Sequence, residues 1–314
     1  MNKKKLIEKD KKYLWHPFTQ MRDWQTDEVL VIEKGKGCYL YDSEGRKYLD
    51  GVSSLWCNVH GHQVKALDQA VKKQLGKIAH STFLGLTHPT AIELAEKLVQ
   101  IAPEGLTRVF YSDSGSEAVE IALKMAFQYW QQRGNAQKKK FAKLTNAYHG
   151  DTLGSVSVGG IDLFHQIYKP LLFETFEIPS PYAYRWPGTN DPQKVKEESL
   201  KAMEEIFKQH HKEIAAFVME PLMQGAAGMI DQPAGYISRA RALTKKYNIL
   251  LIFDEVATGF GRTGKMFAAE HEKITPDIMT VAKGITGGYL PLAATLTTEE
   301  VYEAFLGRYE DFKT

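Results

Sequence analysis

In Ile249-Leu250-Leu251-Ile252-Phe253-Asp254-Glu255-Val256, an apolar run over 249–253 reads as a strand and is followed at once by two acids. A strand that is apolar at every position has both faces covered, as in a parallel sheet between layers of helices. Downstream, the spacing predicts strands over 278–282 and 292–296, with Lys283 and Gly284 between them. Upstream, strands are expected at 214–219, 140–144 and 108–112. They are separated by helices at 234–247, 195–211, 116–132 and 92–99, the last with Ile92, Leu94, Ala95, Leu98 and Val99 apolar. Strands alternating with helices predict an α/β fold with a mostly parallel central sheet flanked by helices. Residues 37–50 read as a small hairpin around Ser43-Glu44-Gly45. The expected organisation is an N-terminal segment with that hairpin at 1–60 and one large α/β domain at 61–314.

In such sheets ligands sit at the carboxyl ends of the strands. Four ends carry candidate chemistry. Ser114-Gly115-Ser116-Glu117 has the spacing of a capping box, at a helix start suited to a phosphate. The bland alternative there is a plain capped helix. Tyr148-His149-Gly150-Asp151 places an aromatic able to stack on a flat ring beside a histidine and an acid. Ordinary loop residues are the alternative. Asp254 could pair with a protonated pyridine nitrogen, or merely cap the next segment. Lys283 follows an apolar strand and precedes Gly284, Gly287 and Gly288. Burial there favours the amine that attacks a carbonyl, whereas alone it would read as a surface lysine in a glycine loop. Phosphate cup, stacking aromatic, strand-end acid and strand-end lysine, in that order, are what a pyridoxal-phosphate site needs.

The 314 residues carry 40 Lys and Arg against 38 Asp and Glu, so a net charge of +2 gives no reason to expect nucleic acid. The runs Lys3-Lys4-Lys5 and Lys138-Lys139-Lys140 read as solvated ends or loops. Two cysteines, Cys38 and Cys57, form no disulfide framework and are expected as buried reduced thiols. No stretch approaches the roughly 20 apolar residues of a membrane helix, and no signal-peptide core follows the basic start. These features fit a cytoplasmic protein.

The chain resembles the class III (ω-) aminotransferases of fold type I. The likeness rests on Ser114 to Ala118, Tyr148-His149-Gly150, Leu251 to Gly264, and Ala282-Lys283-Gly284. Within the class it is nearest to the members that serve biotin synthesis and convert 8-amino-7-oxononanoate to 7,8-diaminononanoate. Trp15 to Met21, Asp50 to Trp56, Gly61-His62 and Tyr148 to Thr152 carry that part. The resemblance implies pyridoxal 5'-phosphate as cofactor and no metal. It makes Lys283 the Schiff-base lysine and proton carrier, and pairs Asp254 with the ring nitrogen. Gly115 and Ser116 would hold the phosphate, Tyr148 would stack on the ring and His149 would stand beside it. Trp56 would line the substrate pocket, with Phe18, Tyr148 and Asp151 where the amino donor binds. A homodimer is also implied.

Two positions depart from the family pattern. Many relatives have a tyrosine at Phe18, and that hydroxyl belongs to the S-adenosylmethionine donor site. Its absence makes lysine the expected donor over S-adenosylmethionine. After Gly61-His62, relatives continue with a proline-containing stretch where this chain has Gln63-Val64-Lys65-Ala66. The sequence stops at Thr314, short of the family's C-terminal small domain with its carboxylate-binding arginine. A chain of this length is therefore expected to be poorly soluble and weakly active. The alternatives are an inactive fragment, another class III enzyme acting on ornithine, 4-aminobutyrate or a similar amine, and a metal hydrolase using His60, His62 and His149. A nicotinamide dehydrogenase would need a G-x-G-x-x-G turn, which is missing.

Overall fold

The computed structural model describes residues 2–161, 166–311 and 313. The chain divides into two compact units, Met1–Ser81 and Thr82–Thr314. In the first, α1 (Lys3–Tyr13) is capped by the Asn2 side chain, and α2 is a short helix (Met21–Thr26). Three antiparallel strands follow: β1 (Ile32–Lys36), β2 (Tyr39–Asp42) and β3 (Lys47–Leu49). The expected hairpin is the β2–β3 pair, and β1 adds a strand to it. Asp42 closes the turn by accepting the N–H groups of Glu44 and Arg46. Then come one tight turn, α3 (Ser53–Trp56), and α4 (Lys65–Leu75).

The second unit begins with α5 (Pro89–Ile101), β4 (Leu106–Ser112), α6 (Gly115–Gln132), β5 (Lys140–Leu144) and α7 (Leu153–Ser157). It continues through β6 (Thr175–Ile178), α8 (Pro192–His210), β7 (Ile214–Met219) and the small pair β8 (Met223–Gln224) and β9 (Ile230–Asp231). It closes with α9 (Tyr236–Lys246), β10 (Leu250–Asp254), β11 (Ile278–Val281), β12 (Ala293–Thr298) and α10 (Glu299–Glu303). The central sheet has seven strands in the order β4-β12-β11-β10-β7-β5-β6. β11, β10, β7, β5 and β6 are mutually parallel, while β12 runs against both of its neighbours.

Strand periodicity explains the layers. Leu251 and Phe253 of β10, with Phe217 and Met219 of β7, pack in a cluster with Met203 and Phe207 of α8 and Ile237 and Ala240 of α9. The intervening residues Leu250, Ile252, Ala216 and Val218 pack with Val119, Ala122, Ala126 and Trp130 of α6. The apolar run therefore reads as it does because helices cover both sides.

Two composition-based expectations fail. Cys38 is exposed and Cys57 is half-buried, because both lie in the small first unit, which has little core to hide a thiol. Lys138 is buried, although it sits in a basic run. Its ammonium donates to the carbonyls of His211, Ile214 and Asn248 at 2.7, 3.0 and 2.6 Å and lies over the Trp130 ring. Carbonyls at chain turns supply what water would otherwise give that charge.

Candidate functional site

The capping box forms as its spacing predicts: the Glu117 N–H reaches Ser114 Oγ, and the Glu117 carboxylate accepts the N–H groups of Asp113 and Ser114. The first N–H groups of α6, on Gly115 and Ser116, have no acceptor within the helix and are available to an anion. Gly115 is pressed against the neighbouring strand ends. A Cβ there would lie 2.7 Å from Val256 Cγ1 and 3.4 Å from Ala282 Cβ. Val256 follows Asp254-Glu255 and Ala282 precedes Lys283, so three of the expected strand ends meet at this glycine. The Ser116 hydroxyl is already engaged: it accepts the N–H groups of Asp151 and Thr152 at 3.1 and 3.0 Å and bonds to Ser155. Gly150 has φ +117°, and its Cβ would sit 2.4 Å from that hydroxyl. Ser116 thus joins the helix start to the Tyr148 loop.

Asp254 lies at the carboxyl end of β10, 4% exposed, in register with Thr280 of β11. One carboxylate oxygen is 2.7 Å from His149 Nδ1, and the other accepts the Val256 N–H at 3.0 Å. Lys283, three residues past Thr280, is half-buried and held at φ +45°. A non-glycine residue in that region is strained, and such strain concentrates at working sites. Position 284 admits only glycine without a shift, since a Cβ there would meet Phe260 Cβ at 2.9 Å. The Tyr148 hydroxyl donates to Asp151 at 2.7 Å, and burial, followed by that bond, raises the phenol's pKa. Phe18 and Trp56 belong to the first unit, where Phe18 is 71% exposed and Trp56 is half-buried.

Glu220, absent from the sequence expectations, is a buried member of this group. Its two oxygens accept the N–H groups of Tyr148 and Gly225 at 3.1 and 2.9 Å. Burial first, and Asp254 among the lesser causes, raises its pKa to about 7. It directly follows the wholly apolar β7, the same signal that drew attention to Asp254. Glu255 is likewise pushed up to about 7 by burial, and receives the Thr258 hydroxyl and the N–H groups of Ala268 and Ala269. It organises the turn after β10. Among the described residues, no group of three His, Cys, Asp or Glu is gathered to hold a metal.

A flat, electron-withdrawing ring carrying a phosphate fits these strand ends. The start of α6 offers backbone N–H groups to an anion, Tyr148 an aromatic ring, Asp254 a buried carboxylate and Lys283 an amine.

The Aminotransferase class-III family matches residues 21–309. The adenosylmethionine-8-amino-7-oxononanoate aminotransferase of Anoxybacillus flavithermus is 60% identical over 98% of this chain and 67% of its own. The protein of the same name from Geobacter sulfurreducens is 54% identical over 97% of this chain and 68% of its own. The crystal structure of the like-named protein from Methanocaldococcus jannaschii superposes with a TM-score of 0.94 at 47% identity, covering 100% of this chain and 69% of that one. An (S)-enantioselective omega-transaminase from Thermomicrobium roseum has a TM-score of 0.92 at 36% identity, over 97% of this chain and 68% of its own. The chain therefore spans about two thirds of the length of each.

Proposed function

The chain belongs to the class III aminotransferases, and from that premise we propose that it transfers an amino group to 8-amino-7-oxononanoate, giving 7,8-diaminononanoate, with pyridoxal phosphate as cofactor. The observation that carries this reading is the buried Asp254–His149 pair at a strand end whose neighbours are the α6 start and Lys283. The cofactor, when bound, supplies an aldehyde that bonds to amines and a ring that draws electrons from the C–H bond being broken. Asp254 would accept the ring N–H and keep that proton in place, while His149 fixes the carboxylate from behind. Gly115 and Ser116 would hold the phosphate through their N–H groups, since the Ser116 hydroxyl is already taken. Tyr148 would lie on the ring face. The Lys283 amine would bond to the cofactor and then take and return the proton.

The relatives' names support adenosylmethionine as amino donor. We therefore assign adenosylmethionine as the donor, against the expectation of lysine drawn from the missing hydroxyl at Phe18. Trp56 is assigned to the keto-acid pocket, with Phe18, Tyr148 and Asp151 assigned to the donor. A cytoplasmic homodimer with this site in each subunit completes the reading.

The test is to load the protein with pyridoxal phosphate, reduce it with borohydride, digest it and map the pyridoxyl label. It should fall on Lys283, and Lys283→Ala should bind the cofactor without a label. A label on another lysine defeats the assignment. The loaded protein, offered adenosylmethionine or lysine separately, should lose the visible absorption of its lysine-bonded cofactor with the true donor. Conversion with lysine alone would overturn the adenosylmethionine assignment, and conversion with neither would remove this substrate reading.

A further inference from the structure

In the first unit, Ser53, Ser54, Leu55 and Trp56 have φ of +50°, +47°, +65° and +66°. Each L-residue in the left-handed helical region costs roughly 1–2 kcal/mol, so four in a row stand only where the surroundings over-determine them. The surroundings here are specific. The Asp50 carboxylate, 5% exposed, accepts the Ser54 N–H at 2.8 Å with one oxygen. Its other oxygen accepts the Ser54 hydroxyl at 2.8 Å and stands 3.1 Å from His62 Nε2.

His62 in turn has little freedom. Its backbone exchanges two hydrogen bonds with Gly37, at 3.1 and 2.9 Å. Its ring lies so close over β1 that a Cβ on Gly35 would be 2.5 Å from His62 Cγ. The Asn58 amide nitrogen lies 3.0 Å from His62 Nδ1 and 3.1 Å from Nε2. A chain of rigid contacts therefore runs from the three-stranded sheet through His62 and Asp50 to Ser54. It ends at the turn that carries Trp56.

We propose that Asp50 and His62 are positioning residues that hold the Ser53–Trp56 turn in its left-handed form and thereby fix Trp56 for the keto-acid substrate. This rests on the assignment of Trp56 to that substrate. Asp50 and His62 act by making one orientation of a flat apolar side chain cheaper than the others, which lowers the ordering cost of binding an extended aliphatic chain. Ordinary helical or extended backbone at Ser54 would break both bonds to Asp50 and swing Trp56 away.

The test measures both half-reactions on the holoenzyme. Trp56→Ala should raise KM for 8-amino-7-oxononanoate by about 10-fold, and His62→Ala should do nearly the same. The donor half-reaction and the cofactor's visible spectrum should stay unchanged in His62→Ala, and the spectrum also reports that the variant folds. The double variant should be no worse than Trp56→Ala alone, because both changes remove one contact. Asparagine tolerates the left-handed region, so adding Leu55→Asn to His62→Ala should bring KM most of the way back down. Asp50→Asn gives a second route if His62→Ala does not fold, and should also raise KM without touching the donor step. Additive losses, an unchanged KM in His62→Ala, or an equal loss in the donor step would overturn the proposal. No change in Trp56→Ala would instead refute the assignment of Trp56, and this proposal with it.

Discussion

Asp254 and His149 stand 2.7 Å apart at a place where neither meets bulk water, so each depends on the other for its orientation. Asparagine at 254 would keep the shape but lose the anion proposed to stabilise a protonated ring nitrogen. Asp254→Asn is therefore expected to slow proton abstraction by about 100-fold or more, roughly 3 kcal/mol of barrier. Single-turnover absorbance with the amino donor checks this, and near-normal rates would show the role to be misassigned. At this scale the sequence was partly legible. Asp254 and Lys283 announce themselves because a charge that ends a buried strand needs a reason. Glu220 carries the same signal after Met219 and went unread, since Pro221 makes it look like the start of an ordinary loop. The bond from Asp50 to His62 could not be read at all, because only the fold brings residues 12 apart onto one carboxylate.

Among the elements, the strands buried on both faces are the ones their sequences define. β7 lies at Ile214–Met219 as expected, and β10 lies one residue from its expected bounds. β6, Thr-Phe-Glu-Ile, is a four-residue edge strand next to a loop rich in proline and tyrosine, and its mixed polarity hides it. α4 repeats Leu67, Val71 and Leu75 at helical spacing, yet none of its residues is buried, so the spacing decides nothing about the core. Lys138 shows what composition conceals. It joins the end of α8, the start of β7 and the residue before the final approach to β10 through three carbonyls. Lys138→Met keeps the bulk and removes the donors, leaving those carbonyls short of a partner. A loss of roughly 1–3 kcal/mol is expected, lowering Tm by several degrees in a unit of this size. A thermal melt checks it, and an unchanged Tm would mean that water replaces the ammonium.

For the whole molecule, two buried carboxyls set a pH dependence. Glu220 and Glu255 have pKa values raised by burial from 4.5 to about 7 in the folded chain. Between those values the folded state holds protons that the unfolded state has released, so their contribution is full below pH 4.5 and is lost as pH rises towards 7. Glu220→Gln removes one of these titrations. The stability difference between parent and variant, both without cofactor, should shift against the parent from pH 4.5 to 7. Denaturant unfolding at several pH values measures it, and a flat difference would show that Glu220 stays ionised throughout. The reversal of β12 has a mechanical consequence. Because Val281 pairs with Ala294 in an antiparallel ladder, the segment carrying Lys283 leaves the sheet and returns to the adjacent strand. It is a tether pinned at both feet. An amine that must reach one atom and then another from such a mounting swings on its own four methylenes, like a boom on a fixed mast. In its proposed role, Lys283 would carry the proton along an arc drawn by its side chain from a backbone held at both ends.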